Sequence, residues 1–142
     1  MGQLIDRLND PTRSGVYRAR GADPLLSATR GSDLQVARIP LHEVRDKQAL
    51  LAAIARALDF PEWFGGNWDA LEDCLTDLSW RTAGGHVLVL EGAQHLARDD
   101  AGVLIDVLTS AAEFWAGRDR PFFAVFVNGP GSLPPLIREK KV

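Results

Sequence analysis

Two continuous apolar runs, Val87-Leu88-Val89-Leu90 and Phe122-Phe123-Ala124-Val125-Phe126-Val127, constrain this chain more than any other feature. Neither alternates polar with apolar residues. Successive side chains of a strand point to opposite faces, so a strand wetted on one face must alternate, and one without alternation needs cover on both. The two runs therefore predict central strands of a parallel sheet packed between helices. Leu34–Ile39 reads as a further strand that Pro40 ends or marks as an edge position. Val16–Ala19 reads as a short strand before the turn-rich Arg20–Pro24.

Helical spacing fills the intervals. Leu50, Leu51, Ile54, Ala57 and Leu58 form the inner stripe of a helix over Lys47–Leu58 with Asp46 as its N-cap. Phe60–Gly66 is a loop. Asn67 caps a second helix, expected over Trp68–Leu78, whose stripe is Leu71, Cys74, Leu75 and Leu78. A third begins at Asp99 or Asp100 and carries Leu104, Val107, Leu108, Ala111 and Trp115 on one side. From residue 34 the order is strand, helix, helix, strand, helix, strand, which crossover rules turn into a small α/β domain with parallel strands. The 142 residues are expected to form one domain over 1–142. Its polar start, 1–14, and its Pro- and Gly-rich end, 130–142, are expected to be mobile or surface-bound.

The charge is unevenly spread. Six of the nineteen acids (Asp59, Glu62, Asp69, Glu72, Asp73 and Asp77) lie between Ala57 and Trp80, a stretch without Lys or Arg. The remainder holds thirteen acids against sixteen bases, so the net charge of −3 hides an acidic segment on a mildly basic body. Acids on one helix often mark nothing more than a solvated face. Concentrated in this way they also repel nucleic acid and attract a cationic partner.

The predicted stripe leaves Asp69, Glu72, Asp73, Thr76 and Asp77 pointing outward. Asp69 and Asp73 sit one turn apart on the same face, where like charges oppose the isolated helix by roughly 0.2–0.5 kcal/mol. The helix dipole compensates Asp69 in the first turn and does less for Asp73. A cationic partner would account for both. In the preceding loop Trp63 and Trp68 flank Gly65-Gly66. Paired glycines permit positive φ and a close approach to the backbone, and tryptophan is favoured at interface hot spots. Phe64 and Cys74 are assigned to the core.

The residues Phe60-Pro61-Glu62-Trp63-Phe64-Gly65-Gly66-Asn67-Trp68-Asp69-Ala70-Leu71-Glu72-Asp73-Cys74-Leu75-Thr76 resemble the loop and second helix of the barstar family. The likeness extends more loosely over about 34–127, leaving 1–33 outside. The resemblance implies an α/β fold of about three parallel strands and about four helices, with residues 1–33 available to add strands. It also implies an intracellular inhibitor of a guanyl-preferring ribonuclease, a secreted or toxin-type enzyme with a basic active-site cleft. On the matching positions, Asp73 falls where an aspartate enters the nuclease active site in place of a substrate phosphate. Asp69 matches a second contacting aspartate, and Trp63 replaces a contacting tyrosine. Gly65 and Asn67 match backbone-contact and capping positions. Two positions depart from the pattern: Glu72 stands where the family has an interface tryptophan, and Trp68 where it has a leucine. Glu113 is near a further acidic contact without a secure match. The resulting partner-binding set is Trp63, Gly65, Gly66, Asn67, Trp68, Asp69, Glu72, Asp73, Thr76 and Asp77.

Other classes fit less well. An immunity or adaptor module of the same fold, binding a different basic toxin or protein, is the main alternative. An enzyme would need Asp69, Asp73 and Asp77 as a magnesium or general-acid cluster, yet no basic phosphate-binding stretch accompanies them. His42, His86 and His95 lie in unrelated elements, and the lone Cys74 offers neither an internal disulfide nor a metal pair. No catalytic residue, metal or cofactor is therefore expected. The bases are dispersed apart from Lys140-Lys141, against nucleic-acid binding. No run spans a bilayer and the start does not resemble a signal peptide, so the expectation is a cytoplasmic protein without membrane contact.

Overall fold

The computed structural model describes residues 3–81 and 83–137. Its elements, in order, are α1 (Gln3–Leu8), β1 (Gly15–Ala19), α2 (Asp23–Thr29), β2 (Leu34–Pro40), α3 (Lys47–Ala57), α4 (Trp68–Leu75), β3 (Gly85–Glu91), α5 (Arg98–Ala116) and β4 (Phe122–Val127). Short 3₁₀ turns occupy Pro11–Arg13 and Ala93–His95. The four strands pair in the order β1-β4-β3-β2, every pair parallel.

The unbroken apolar runs become the two central strands, as two-sided burial requires. Leu88, Leu90, Phe122, Ala124 and Phe126 face one core with the inner sides of α3, α4 and α5. Val87, Val89, Phe123 and Val125 face a second core with Leu8 of α1 and Leu25 of α2. Each run thus supplies both cores by simple alternation of direction. Asp46 caps α3 by accepting the Ala49 amide at 2.8 Å.

The structure adds detail to several expectations and changes others. Gln3–Leu8 forms α1 and Pro11–Arg13 a 3₁₀ turn, and Leu8 is fully buried beneath the sheet. Beyond Arg20–Gly21 a helix, α2, begins; Pro24 opens it rather than excluding it, because the first turn needs no amide from proline. The tail does not join the sheet's interior but pads its β1 edge. The Arg18 amide donates to Pro134 and the Leu136 amide to Arg18, both at 2.9 Å, and Leu133 and Leu136 are buried. The expectation for 138–142 falls outside the described residues. Helix α5 starts at Arg98 after Ala97, so Asp99 and Asp100 occupy its first turn instead of capping it. They still favour the positive end of its dipole.

Helix α4 is shorter than the apolar spacing implied, ending at Leu75 rather than Leu78. The Thr76 hydroxyl donates to the Glu72 carbonyl at 2.8 Å. Leu78 takes a left-handed φ of 50° that brings its side chain back into the core. Thr76 and Asp77 consequently belong to a closing turn and not to the helix.

Candidate partner-binding site

The acidic segment begins where α3 closes. Asp59 turns left-handed (φ 55°) and the Phe60 amide returns to the Ala55 carbonyl at 2.9 Å. Burial drives the rest of the loop. Phe60 meets Phe64 edge-on at 5.0 Å and Trp80 at 5.9 Å, and Trp80 meets Trp63 at 6.2 Å. The Trp80 indole N–H donates to the Leu58 carbonyl at 3.0 Å, tying this group of rings to the end of α3. Phe64 packs against the core, whereas Trp63 is left 61% exposed.

The two glycines differ. Gly66 needs its φ of 72°, a region that strains any side chain. At Gly65 an added Cβ would meet only ordinary contacts, 3.6 Å from Ala70 Cβ and 3.7 Å from Asn67 Nδ2. Neither space nor φ requires that glycine. What it does is leave the exposed backbone beside the helix start bare.

Asn67 then caps α4, its Oδ1 accepting the Ala70 amide at 2.7 Å. Leu71, Cys74 and Leu75 face inward and are fully buried, which turns Asp69, Glu72 and Asp73 to solvent. The far end is held from α5, where Trp115 donates its indole N–H to the Leu75 carbonyl at 2.7 Å. That bond satisfies a carbonyl the helix end would otherwise leave open. Burial pushes the Cys74 thiol up to about 11, with the Asp77 and Asp73 carboxylates adding to the effect, so it stays protonated and inert.

Of the six acids, Asp59 has a partner: Arg81, just beyond the segment, reaches it at 3.2 Å and also bonds Gln35 at 3.0 Å. Among the described residues, no cation lies within ion-pair distance of Glu62, Asp69, Glu72, Asp73 or Asp77. A rigid, capped helix therefore presents uncompensated carboxylates to solvent beside an exposed indole. Trp63, Gly65, Asn67, Asp69, Glu72, Asp73 and Asp77 are all exposed along this stretch. Trp68 is half-buried against the core, and the Thr76 hydroxyl is engaged by the helix end. Trp80 escaped the sequence reading. Its only local signal was its place at the end of the acidic stretch. Glu113 is exposed on α5, the helix that packs against α4.

No group of three or more His, Cys, Asp or Glu among the described residues is placed to hold a metal, so Asp69, Asp73 and Asp77 are not brought together as a magnesium cluster. The histidines also stay apart. His42 and His95 are exposed, while His86 on β3 is buried between Trp115 and Phe122. Among the described residues, no helix is long and apolar enough to cross a membrane.

Fold and surface together define a small parallel α/β domain that presents an exposed acidic helix face. A family model described as Barstar (barnase inhibitor) matches residues 34–127, and the chain belongs to that family. No curated protein matches it. The matched interval runs from the first residue of β2 to the last of β4, so α1, β1, α2 and the tail lie outside it. Proteins of the family are inhibitors, not enzymes, and membership supports a general ribonuclease-inhibitor-like function with a barnase-like ribonuclease as partner.

Proposed function

We propose that this chain inhibits a guanyl-preferring, barnase-like ribonuclease by seating the α4 face and the loop before it in the enzyme's active-site cleft. The observation that carries the reading is the set of exposed carboxylates on α4, Asp69, Glu72 and Asp73, with no described cation to neutralise them. A ribonuclease cleft must hold phosphates and stabilise developing negative charge, so it is lined with cationic side chains. A folded carboxylate can occupy a phosphate position and offers no phosphodiester to cleave. Asp73 serves as that phosphate mimic and Asp69 supports it. Trp63 provides an aromatic contact, and Gly65, Gly66 and Asn67 shape the approach. Glu72 and Asp77 extend the acidic rim, with Trp68 and Thr76 at its margins. Exposed charge speeds encounter, and a desolvated, hydrogen-bonded pair slows release. As an inhibitor of a toxin-type or secreted nuclease, the protein would act in the cytoplasm, as a single domain.

The test is a titration of purified barnase with Asp73→Ala and Glu62→Ala. Asp73→Ala is expected to weaken inhibition far more than Glu62→Ala and to leave the unfolding midpoint nearly unchanged. Equal effects of the two substitutions would remove the assignment.

A further inference from the structure

Trp63 is an unusual side chain to leave in water. The other large apolar residues exposed among those described, Val103 of α5 and Ile137 of the tail, are far smaller and sit on other elements. A loop indole free to rotate would lose freedom on binding and weaken the complex. This one is braced. Trp80 meets it at 86° with 6.2 Å between ring centres, and Trp80 is itself fixed by its bond to the Leu58 carbonyl at 3.0 Å and by the edge of Phe60 at 5.9 Å.

We propose that Trp80 is a positioning residue that braces Trp63 as a preset contact for the partner nuclease. The inference rests on the inhibitor reading above. Trp80 touches no partner. It acts by removing the freedom that Trp63 would otherwise lose on binding.

The experiment is a double-mutant cycle on barnase inhibition, paired with circular dichroism of the free protein. Two indoles at this separation and angle couple their far-ultraviolet transitions, so the wild type should show an exciton couplet that both Trp63→Ala and Trp80→Leu abolish. Trp63→Ala is expected to weaken inhibition about tenfold and Trp80→Leu by several-fold, as the loss of an aromatic contact allows. The double variant should be no weaker than Trp63→Ala, because a brace without its ring has nothing to position. If Trp80→Leu fails to fold, Trp80→Phe takes its place and should give a lost couplet with a smaller loss of inhibition. A Trp80 substitution that weakens inhibition as much in the Trp63→Ala background as in the wild type would overturn the proposal. If wild-type protein leaves barnase active, the inhibitor reading fails by itself. The couplet then decides the brace: loss in both variants supports it, and persistence in Trp80→Leu overturns it.

Discussion

His86 gives a stability prediction whose magnitude follows from its surroundings. It sits on β3, 4% exposed, with its ring against Trp115 and Phe122 and its Nδ1 without a hydrogen-bond partner among the described residues. Burial pushes its pKa down from 6.5 to about 4, and the Arg81 and Arg120 guanidinium groups push the same way. The unfolded chain takes up a proton at this residue near the ordinary value, whereas the folded chain resists until much lower pH. Between those values the unfolded state binds more protons, so stability falls as pH falls. Relative to neutral pH, the loss from this group is about 2 kcal/mol by about pH 5 and about 3 kcal/mol by about pH 4, below which it levels off. His86→Leu replaces the imidazole with an apolar group that cannot titrate. Urea unfolding of both proteins at a series of pH values between about 7 and 4 isolates the effect, since the carboxylates titrate alike in each. The stability difference should move in the variant's favour by that amount as pH drops. Parallel profiles would show that His86 protonates freely in the folded state and that the burial argument is wrong.

Two further outcomes are expected. Asn67→Ala removes the bond to the Ala70 amide and should lower unfolding stability by about 1 kcal/mol, measured by urea denaturation. Association with barnase should slow as salt rises, because exposed charges are screened beyond about 10 Å at ~0.1 M ionic strength; a salt-independent on-rate in stopped-flow would count against the acidic face as the steering surface.

The central strands were legible because two-sided burial leaves a signature in composition that needs no long-range knowledge. Val87–Leu90 and Phe122–Val127 read as strands, and the order of elements from β2 to β4 followed. The caps Asp46 and Asn67 were legible for a similar reason, since each bonds an amide three residues on. What failed depended on contacts distant in sequence or on backbone states that side-chain type does not fix. Leu78 continues the apolar spacing of α4 yet reaches the core by a left-handed turn. The N-terminal residues look polar, but Leu8 lies against a sheet face that Val89 and Val125, more than 80 residues away, help to build. Within the site, charge and spacing exposed the carboxylates. They could not show that Arg81, 22 residues on, neutralises Asp59, or that Trp80 closes onto Trp63. Both contacts arise only when the α3–α4 loop folds back on the turn after α4.

The central claim is that the acidic face occupies a nuclease cleft. Its most direct test is titration of barnase with the wild-type protein, following RNA cleavage, with a competing mononucleotide present or absent. The account predicts that activity disappears at one equivalent of inhibitor and that a nucleotide filling the cleft slows complex formation. Full cleavage with excess protein present, or tight binding that leaves cleavage and nucleotide binding untouched, would contradict it.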